Sequence, residues 1–262
     1  MIRRLAVVAV LGAAVVSALA AQASAARSSG TLLYCSDISY PPEEFVQGGK
    51  SVGSDIDIGT EVAKRLGMTA KFQNTGFDGI VAALLSNKCD AIISGMNDTP
   101  ERRKTIAFAD YLNVGQSFIA KKGNPLGIKK PLDICGHVAG AQVATTNLQT
   151  LQKLDTQCKA KGKKGIKIIS FKEDPLGVTA LKTGHIDIYE SDSPPAVWYT
   201  TKDTSIQIVG PPVDAIPVGI GLKKGSPLKA KMQTAIKAMY ADGTMAKILK
   251  KWNMTQFALK GK

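Results

Sequence analysis

The stretch DAIISGMNDTPERR, residues 90–103, decides the architecture that this sequence predicts. A short apolar run ends at Ser94, a loop of small residues follows, and Thr99-Pro100-Glu101 has the pattern of a helix N-terminus. Threonine is a good N-cap, proline is favoured at the first helical position, and a first-turn glutamate suits the helix dipole. The stretch is therefore a strand-to-helix junction, the unit from which parallel α/β sheets are built.

Arg102 is the unusual residue of this junction, because the dipole disfavours a cation in the first turn of a helix. One interpretation is a surface arginine paired with Asp98 or Glu101. The other is an anion site, in which a bidentate guanidinium stands beside free backbone N–H groups and binds a carboxylate. The junction alone leaves both interpretations open.

Short apolar strands alternate with helical patterns on both sides of this junction, which favours an α/β fold. Two lobes of about a hundred residues each fit better than one continuous sheet. Crossings between the lobes are predicted at 120–125 and 213–219, so that 26–120 plus 216–262 form lobe 1 and 121–215 form lobe 2. The predicted strands are 31–36, 68–73, 90–94, 137–142, 166–171, 186–190 and 205–209, and the predicted helices include 78–87, 147–160, 175–183 and 194–201.

The first 25 residues are predicted to be a cleaved secretory signal peptide. Arg3 and Arg4 form a basic region, an apolar run follows, and Ala23-Ser24-Ala25 fits the cleavage pattern. No later segment has the ~18 continuous apolar residues that a membrane span requires. The sequence therefore predicts an exported, periplasmic protein.

The chain is basic, with a formal net charge of +13, and a basic excess can indicate a nucleic-acid partner. Most lysines are scattered, however, and the one dense run, KAKGKKGIK at 159–167, has no aromatic residues among its lysines. We interpret that run as a solvated loop and predict no nucleic-acid partner.

Four cysteines in an oxidising compartment permit disulfides. Cys135 and Cys158 flank a strand-plus-helix unit and are predicted to pair. Cys35 lies near the end of one predicted strand and Cys89 at the start of another. In neighbouring parallel strands these positions would lie at opposite ends, so this second pair is predicted to be too far apart to bridge.

The search for a catalytic or metal site finds little. Neither histidine, His137 or His185, has a partner at metal-ligand or acid–base spacing, and no H-E-x-x-H, C-x-x-C or P-loop is present. The G-x-S-x-G match at Gly49–Gly53 lies in a glycine-rich turn and is interpreted as chance. The sequence predicts no enzyme, no metal and no cofactor.

Other unusual residues also follow strands. VATTNLQTL (143–151) forms a second strand-to-helix junction, and IDIYESDSPPAVWY (186–199) ends a strand at Asp192. Asp37 and Tyr40 follow the first strand. Ligands of open α/β sheets bind at this carboxyl edge. A cation site, an anion site and aromatic rings in one cleft describe a zwitterion that carries a side chain.

These motifs together resemble the polar amino-acid family of periplasmic solute-binding proteins, the extracytoplasmic subunits of ABC importers. The resemblance covers nearly all of the chain after the signal peptide. It implies the type II periplasmic-binding-protein fold, in which two α/β lobes joined by two hinge strands close over an L-amino acid. It also implies a monomer that delivers its ligand to an inner-membrane ABC permease. The motifs are SDISYPPEEF, VGSDIDIGTEVAKRLG, NTGFDGIVAALLSNKCDAIISGMNDTPERR, ATT, GHIDIYESDSPPA and YADGTMAKILKKW.

The resemblance assigns the charged ends of the ligand to particular residues. Arg102 would clamp the α-carboxylate, assisted by the backbone N–H groups of Asn97 and Thr146. Asp192, the Gly95 carbonyl and the Asn97 side chain would bind the α-ammonium. Family members usually carry Thr or Ser where Asn97 stands.

The remaining assignments concern the ligand's side chain. Tyr40 and Phe77 would sandwich it, with Asp37 and Gln142 near its tip. An acid at position 37 favours a basic side chain, as does Glu190, whereas Gln142 fits an amide equally well. A basic or polar L-amino acid is therefore expected.

Two further departures from the family pattern concern Ala144 and Glu43. A glycine commonly precedes the threonine pair where Ala144 stands. An apolar ring is usual in place of Glu43, which we predict to point to solvent. The alternative function is a cyclohexadienyl (prephenate or arogenate) dehydratase on the same fold, with Glu43 or Glu190 as its acid. The intact zwitterion clamp argues against it, because Asp192 is committed to the ammonium.

Overall fold

The computed structural model describes residues 30–259 of the chain. The predicted signal peptide, 1–25, lies outside the described residues. Within 30–259, the helices are all too short or too polar to cross a bilayer.

The elements alternate as the sequence predicts. In the first part of the chain they are β1 (Thr31–Ser36), β2 (Phe45–Gln47), β3 (Lys50–Val52), α1 (Ser54–Arg65), β4 (Thr69–Asn74), α2 (Ile80–Leu85), β5 (Ala91–Ile92), α3 (Pro100–Arg103) and β6 (Ile106–Lys121). They continue with β7 (Val138–Gln142), α4 (Thr146–Ala160), β8 (Lys167–Phe171), α5 (Asp174–Thr183), β9 (Ile188–Asp192), α6 (Ser193–Lys202), β10 (Ile206–Lys223), α7 (Leu228–Ala241) and α8 (Thr244–Lys251).

Two long antiparallel strands, β6 and β10, join two α/β lobes. The strand order is β4-β1-β5-β10-β6-β9-β7-β8. On one side β1 pairs in parallel with β4 and β5, and on the other β7 pairs in parallel with β8 and β9. Hydrogen bonding between strands continues from lobe to lobe only because β6 and β10 run through both. The predicted fold class is confirmed.

Each lobe has its own hydrophobic core. The core of lobe 1 includes Tyr34 and Ile58 together with Met239 of α7 and Leu249 of α8, so the C-terminal helices pack on the first lobe. A separate cluster in lobe 2 lies under α4 and includes Leu151. The lobe limits given above stay a prediction, since β6 and β10 contribute to both sheets.

The predicted helices of lobe 2 agree with the structure to within one residue at each end, whereas several strands differ. The 90–94 strand is reduced to Ala91–Ile92, and the 205–209 strand extends to Lys223. The hairpin β2–β3 and the sixteen-residue β6 were not predicted. The β6 sequence has no regular alternation of polar and apolar residues, because its successive parts pack in different surroundings.

Two disulfides join the four cysteines. Cys135 pairs with Cys158, as the sequence favours, and Cys35 pairs with Cys89, each with a Cα–Cα distance of 5.6 Å. The prediction that the second pair lies too far apart was wrong because it placed Cys89 at the start of a strand. β5 begins only at Ala91, which stands opposite Tyr34, and Cys89 precedes a bend at Asp90, outside the pairing of β5 with β1.

Candidate functional site

A small cavity lies between the lobes, at the carboxyl ends of β1, β5, β7 and β9. Seven of the nine predicted ligand-binding residues line it, and Thr146 and Arg102 are hydrogen-bonded to one of those seven, Asn97. The structure therefore brings all nine together, and their role in binding a ligand stays a prediction. The lining residues are Asp37, Tyr40, Glu44, Phe77, Ser94, Gly95, Asn97, Gln142, Thr145, Asn147 and Asp192.

Arg102 lies in the first turn of α3, at the strand-to-helix junction that the sequence predicts. Thr99 caps the helix by accepting a hydrogen bond from the Arg102 backbone N–H at 3.2 Å. The two acids that could have neutralised Arg102 have other partners, since Asp98 pairs with Arg103 and Glu101 with Lys104. The interpretation of Arg102 as a surface arginine paired with Asp98 or Glu101 is therefore wrong.

The guanidinium of Arg102 is fixed by neutral groups. Its Nη1 donates to the Asn97 carbonyl at 2.9 Å and its Nη2 to the Ala144 carbonyl at 3.1 Å. Its central carbon lies 5.3 Å from the centre of the Phe77 ring. The backbone of Ala144 has φ of 62°, in the left-handed region, which explains why a glycine is usual there. These contacts hold the Arg102 guanidinium in place without neutralising its positive charge.

Asp192 provides the opposite charge. It ends β9 and is 2% exposed, and its carboxylate accepts hydrogen bonds from Asn147 at 3.1 Å and Asn97 at 3.4 Å. Burial raises the pKa of Asp192 to about 6, although the two amides and the positive charge of Arg102 act to lower it. A carboxylate and a guanidinium thus act on each other across one cavity, and neither is neutralised by a direct ion pair.

Direct hydrogen bonds join the lobes around the cavity. Gln142 donates to Asp37 at 2.7 Å, and Thr146 donates to the Asn97 side chain at 2.6 Å. The Tyr40 hydroxyl accepts from the Asp192 backbone N–H at 3.3 Å. The two lobes are therefore in direct contact around the cavity.

The cavity wall on lobe 1 is acidic. Asp37 accepts from Ser39 and Gln142, and burial raises its pKa. Glu44 accepts from the Ser94 hydroxyl at 2.8 Å, and burial, followed by the charges of Asp55 and Glu43, raises its pKa well above the ordinary value. This end of the cavity is suited to a cation or a hydrogen-bond donor.

Sequence reasoning missed Glu44, Ser94, Thr145 and Asn147 as lining residues. Ser94, Thr145 and Asn147 stand at strand-to-helix junctions that the sequence had already identified, so that signal could have found them. Glu44 gave no such signal, because an acid in a loop is ordinarily exposed.

The prediction that Glu43 points to solvent was wrong, since this residue is completely buried. Its loop is pressed against the start of α1, where Asp55 N–H donates to the Glu43 carbonyl at 2.9 Å. Gly53 permits this contact: its φ is 138°, and a Cβ there would lie 2.0 Å from the Glu43 carbonyl oxygen. Only glycine allows so close an approach.

A metal site is absent from the part of the chain that the structure describes, where no group of three or more His, Cys, Asp or Glu side chains could hold an ion.

Comparisons with known proteins agree with this geometry. Residues 32–255 match the model of a family described as bacterial extracellular solute-binding proteins, family 3. The L-cystine-binding protein TcyJ of Escherichia coli (strain K12) is 30% identical over 232 residues, covering 86% of this chain and 84% of the relative.

Two solved structures are also similar. An ancestral arginine-binding protein bound to arginine has a TM-score of 0.79 and 36% identity, covering 85% of this chain and 98% of that one. The ancestral amino acid-binding protein AncCDT-1, described as a precursor of cyclohexadienyl dehydratase, has a TM-score of 0.78 and 32% identity, over 85% and 95% of the two chains.

Proposed function

Since the chain belongs to family 3 of the bacterial extracellular solute-binding proteins, we propose that it captures an L-amino acid between its lobes. In this proposal it acts as a monomer in the periplasm and delivers the amino acid to an inner-membrane ABC permease. The observation that carries the proposal is the pair of unneutralised opposite charges, Arg102 and Asp192, at one interlobe cavity.

An α-amino acid would supply a partner of opposite charge to both Arg102 and Asp192. Its carboxylate would bind the Arg102 fork, assisted by the backbone N–H groups of Asn97 and Thr146. Its ammonium would bind Asp192, the Gly95 carbonyl and the Asn97 side-chain oxygen. Buried charges are stable only when paired, so the ligand compensates both at once.

Capture follows from the division of the site between the lobes. Arg102 and Asn97 belong to lobe 1, whereas Thr146 and Asp192 belong to lobe 2. A ligand that contacts all four makes interactions that an open form cannot make, so binding favours closure. The hinge would lie in β6 and β10, the strands that connect the lobes.

We infer that the ligand's side chain is basic or polar. Tyr40 and Phe77 offer rings for its apolar part, and Asp37, Glu44 and Gln142 offer acceptors for its tip. TcyJ is a cystine-binding protein and one similar structure holds arginine, and both of those ligands carry polar or charged groups beyond the α-carbon.

Binding rather than catalysis fits the site. A dehydratase would need a free acid in contact with its substrate, whereas Asp192 in our proposal is occupied by the ammonium, and Glu43 and Glu190 are not among the residues that line the cavity. AncCDT-1, though a precursor of a dehydratase, is itself described as amino acid-binding. Steady turnover of prephenate or arogenate by the purified protein would overturn this choice.

The first experiment identifies the ligand and tests the carboxylate clamp. A thermal-shift screen of the twenty amino acids, ornithine and citrulline selects the ligand, because binding raises apparent stability by mass action. Calorimetry then compares the wild type with Arg102→Ala. Removing one partner of a desolvated charge pair should weaken binding at least ~30-fold.

Arg103→Ala is the matched control for this comparison. It removes the adjacent arginine, whose partner Asp98 lies outside the cavity and whose own side chain is 58% exposed. Its affinity should stay within about threefold of the wild type. Wild-type affinity in a folded Arg102→Ala variant would remove the basis of the proposal.

A further inference from the structure

Glu43 is a buried acid that the proposed binding mechanism does not use. Its side chain is 0% exposed. Neither carboxyl oxygen has a hydrogen-bond partner in another described residue. Its Oε1 would lie 3.7 Å from a Cβ placed on Gly95, a residue of the cavity wall. The carboxyl therefore lies directly behind the ligand cavity.

The titratable groups that act electrostatically on Glu43 come from both lobes. In lobe 1 they are Tyr40 and Glu44 of its own loop, Asp55 of α1 and Tyr111 of β6. In lobe 2 they are Asp174 of α5, Asp192 of β9 and Tyr199 of α6. All are acids or phenols, so within the described residues this surrounding set offers Glu43 no compensating positive charge.

These surroundings favour the neutral acid. Burial is the largest cause that raises the pKa of Glu43 well above its ordinary value, followed by the negative charges of Asp55, Asp192 and Asp174. An ionised carboxylate that is desolvated among like charges is strongly disfavoured, so the closed form holds Glu43 with its proton.

Opening of the cleft would change this balance. Separation of the lobes would move Asp174, Asp192 and Tyr199 away from Glu43 and would admit water to its carboxyl. Both changes favour ionisation. On this reasoning the side chain would keep its proton when the lobes meet and would ionise more readily when they part.

We propose that amino-acid capture by this protein is coupled to the uptake of one proton at Glu43, which passes from water to an interlobe site when the cleft closes. The proton comes from solvent or buffer, converts the carboxylate to the acid, and returns to solvent on opening. This inference rests on the proposed function, because it requires that a ligand closes the lobes.

The coupling has a defined sign. The closed, ligand-bound state binds more protons than the open state, so affinity is greatest below the open-state pKa of Glu43. It then falls as pH rises, by up to ~10-fold per pH unit for one fully coupled proton, until pH exceeds the closed-state pKa. Asp192 acts in the opposite direction, because burial raises its pKa to about 6 and the ammonium binds its ionised form, so the coupling is measured as the difference between the wild type and Glu43→Gln.

Calorimetry measures the proton directly. The amino acid found in the thermal-shift screen is titrated into the protein at pH 5, 6 and 7, in buffers of different ionisation enthalpy. The dependence of the observed heat on that enthalpy gives the number of protons taken up. The wild type should take up more protons than Glu43→Gln, by a difference that approaches one at pH 6 to 7.

Glu190→Gln is the matched control. Glu190 is 1% exposed and its carboxyl oxygens also have no partner among the described residues. It stands opposite Phe118 in the β6–β9 pairing, and the one charge that acts on its carboxyl is Asp192 of the same strand. Because Asp192 moves together with it on the same strand, proton uptake on binding should equal that of the wild type. Glu43→Leu, an apolar side chain of similar size, repeats the test without an amide.

The outcomes separate the two proposals. Tight amino-acid binding with equal proton uptake by wild type and by a folded Glu43 variant overturns the proton coupling and leaves the proposed function intact. If Glu190→Gln took up fewer protons than the wild type, by the same amount as Glu43→Gln, the proton would not belong to Glu43 specifically. That result would also overturn the proton coupling. Failure of the wild type to bind any amino acid in the screen overturns the proposed function itself.

Discussion

Asp192 carries its carboxyl into a buried position where the hydrogen-bond partners of its oxygens are two neutral amides, those of Asn97 and Asn147. This arrangement orients the carboxyl without neutralising it. A ligand ammonium would complete the site, and the charge of Asp192 is then worth more to binding than to folding.

We therefore expect Asp192→Asn to weaken amino-acid binding at least ~10-fold, because a charge-assisted hydrogen bond becomes a neutral one. In the absence of ligand the same variant should be no less stable than the wild type at pH 7, since it removes a desolvated charge. Calorimetry and thermal unfolding measure the two effects. Unchanged affinity in this variant would place the ammonium elsewhere.

Among individual residues, the sequence allows a functional role to be predicted where that role depends on neighbouring residues in the chain. Arg102 and Asp192 could be identified because each stands at a strand-to-helix junction and conflicts with its local setting. Glu43 could not, because the groups that act electrostatically on its carboxyl include Asp174 and Tyr199, more than a hundred positions along the chain. Its loop is local, but its environment exists only when both lobes are in place.

Among the secondary-structure elements, the strands were predicted least well, because their bounds also depend on distant parts of the chain. β5 was predicted as five residues and has two, and this error also misplaced Cys89. β6 could not be recognised, since Asp110, Asn113 and Gln116 interrupt its apolar pattern at intervals of three residues, which is not the two-residue alternation of a strand. The helices were predicted well because capping residues and one buried face are local signals.

The two disulfides each close a loop within one lobe, and the loops differ in length. The sequence separation is 54 residues for Cys35–Cys89 and 23 for Cys135–Cys158. In the chain-entropy model the longer loop contributes about 4 kcal/mol to the free energy of unfolding and the shorter about 3 kcal/mol.

Replacing Cys35 and Cys89 together by alanine should therefore destabilise the protein more than the same replacement of Cys135 and Cys158. Urea unfolding of the two double variants, each against the oxidised wild type, gives the two free energies. Amino-acid affinity at 25 °C should stay near wild type in both, because no cysteine lines the cavity. A larger cost for the shorter loop would show that loop closure does not control the difference.

Across the whole molecule, charge is divided between surface and cleft. The chain has a net charge of +13, and most of its lysines are exposed. Within residues 30–259, the buried side chains among Asp, Glu, Lys and Arg are all acids, namely Asp37, Glu43, Glu44, Asp55, Asp98, Asp174, Glu190 and Asp192. Most of these acids line or surround the interlobe cavity. A cleft of this kind favours ligands that carry positive charge in addition to the α-ammonium.

This interior should give the ligand-free protein an inverted pH dependence of stability between pH 4.5 and 7. Burial raises the pKa of Asp55, Asp174 and Asp192 from 3.8 to about 6. Between these values the folded state binds more protons than the unfolded state. The free energy of unfolding therefore falls as pH rises, by up to about 3 kcal/mol for each such carboxyl.

Thermal unfolding at pH 4.5, 5.5, 6.5 and 7.5 measures this slope. Asp174→Asn should make this slope shallower, because it removes one titrating carboxyl. The fold should be kept, since an amide oxygen can still accept from the Tyr189 and Ser191 hydroxyls that contact Asp174. Asp203→Asn is the control, because the pKa of Asp203 is lowered, chiefly by Lys182, and its contribution is lost only at more acidic pH. A melting temperature that rises steadily from pH 4.5 to 7.5 would contradict the expected protonation of the buried acids, and with it the physical basis for proton uptake at Glu43.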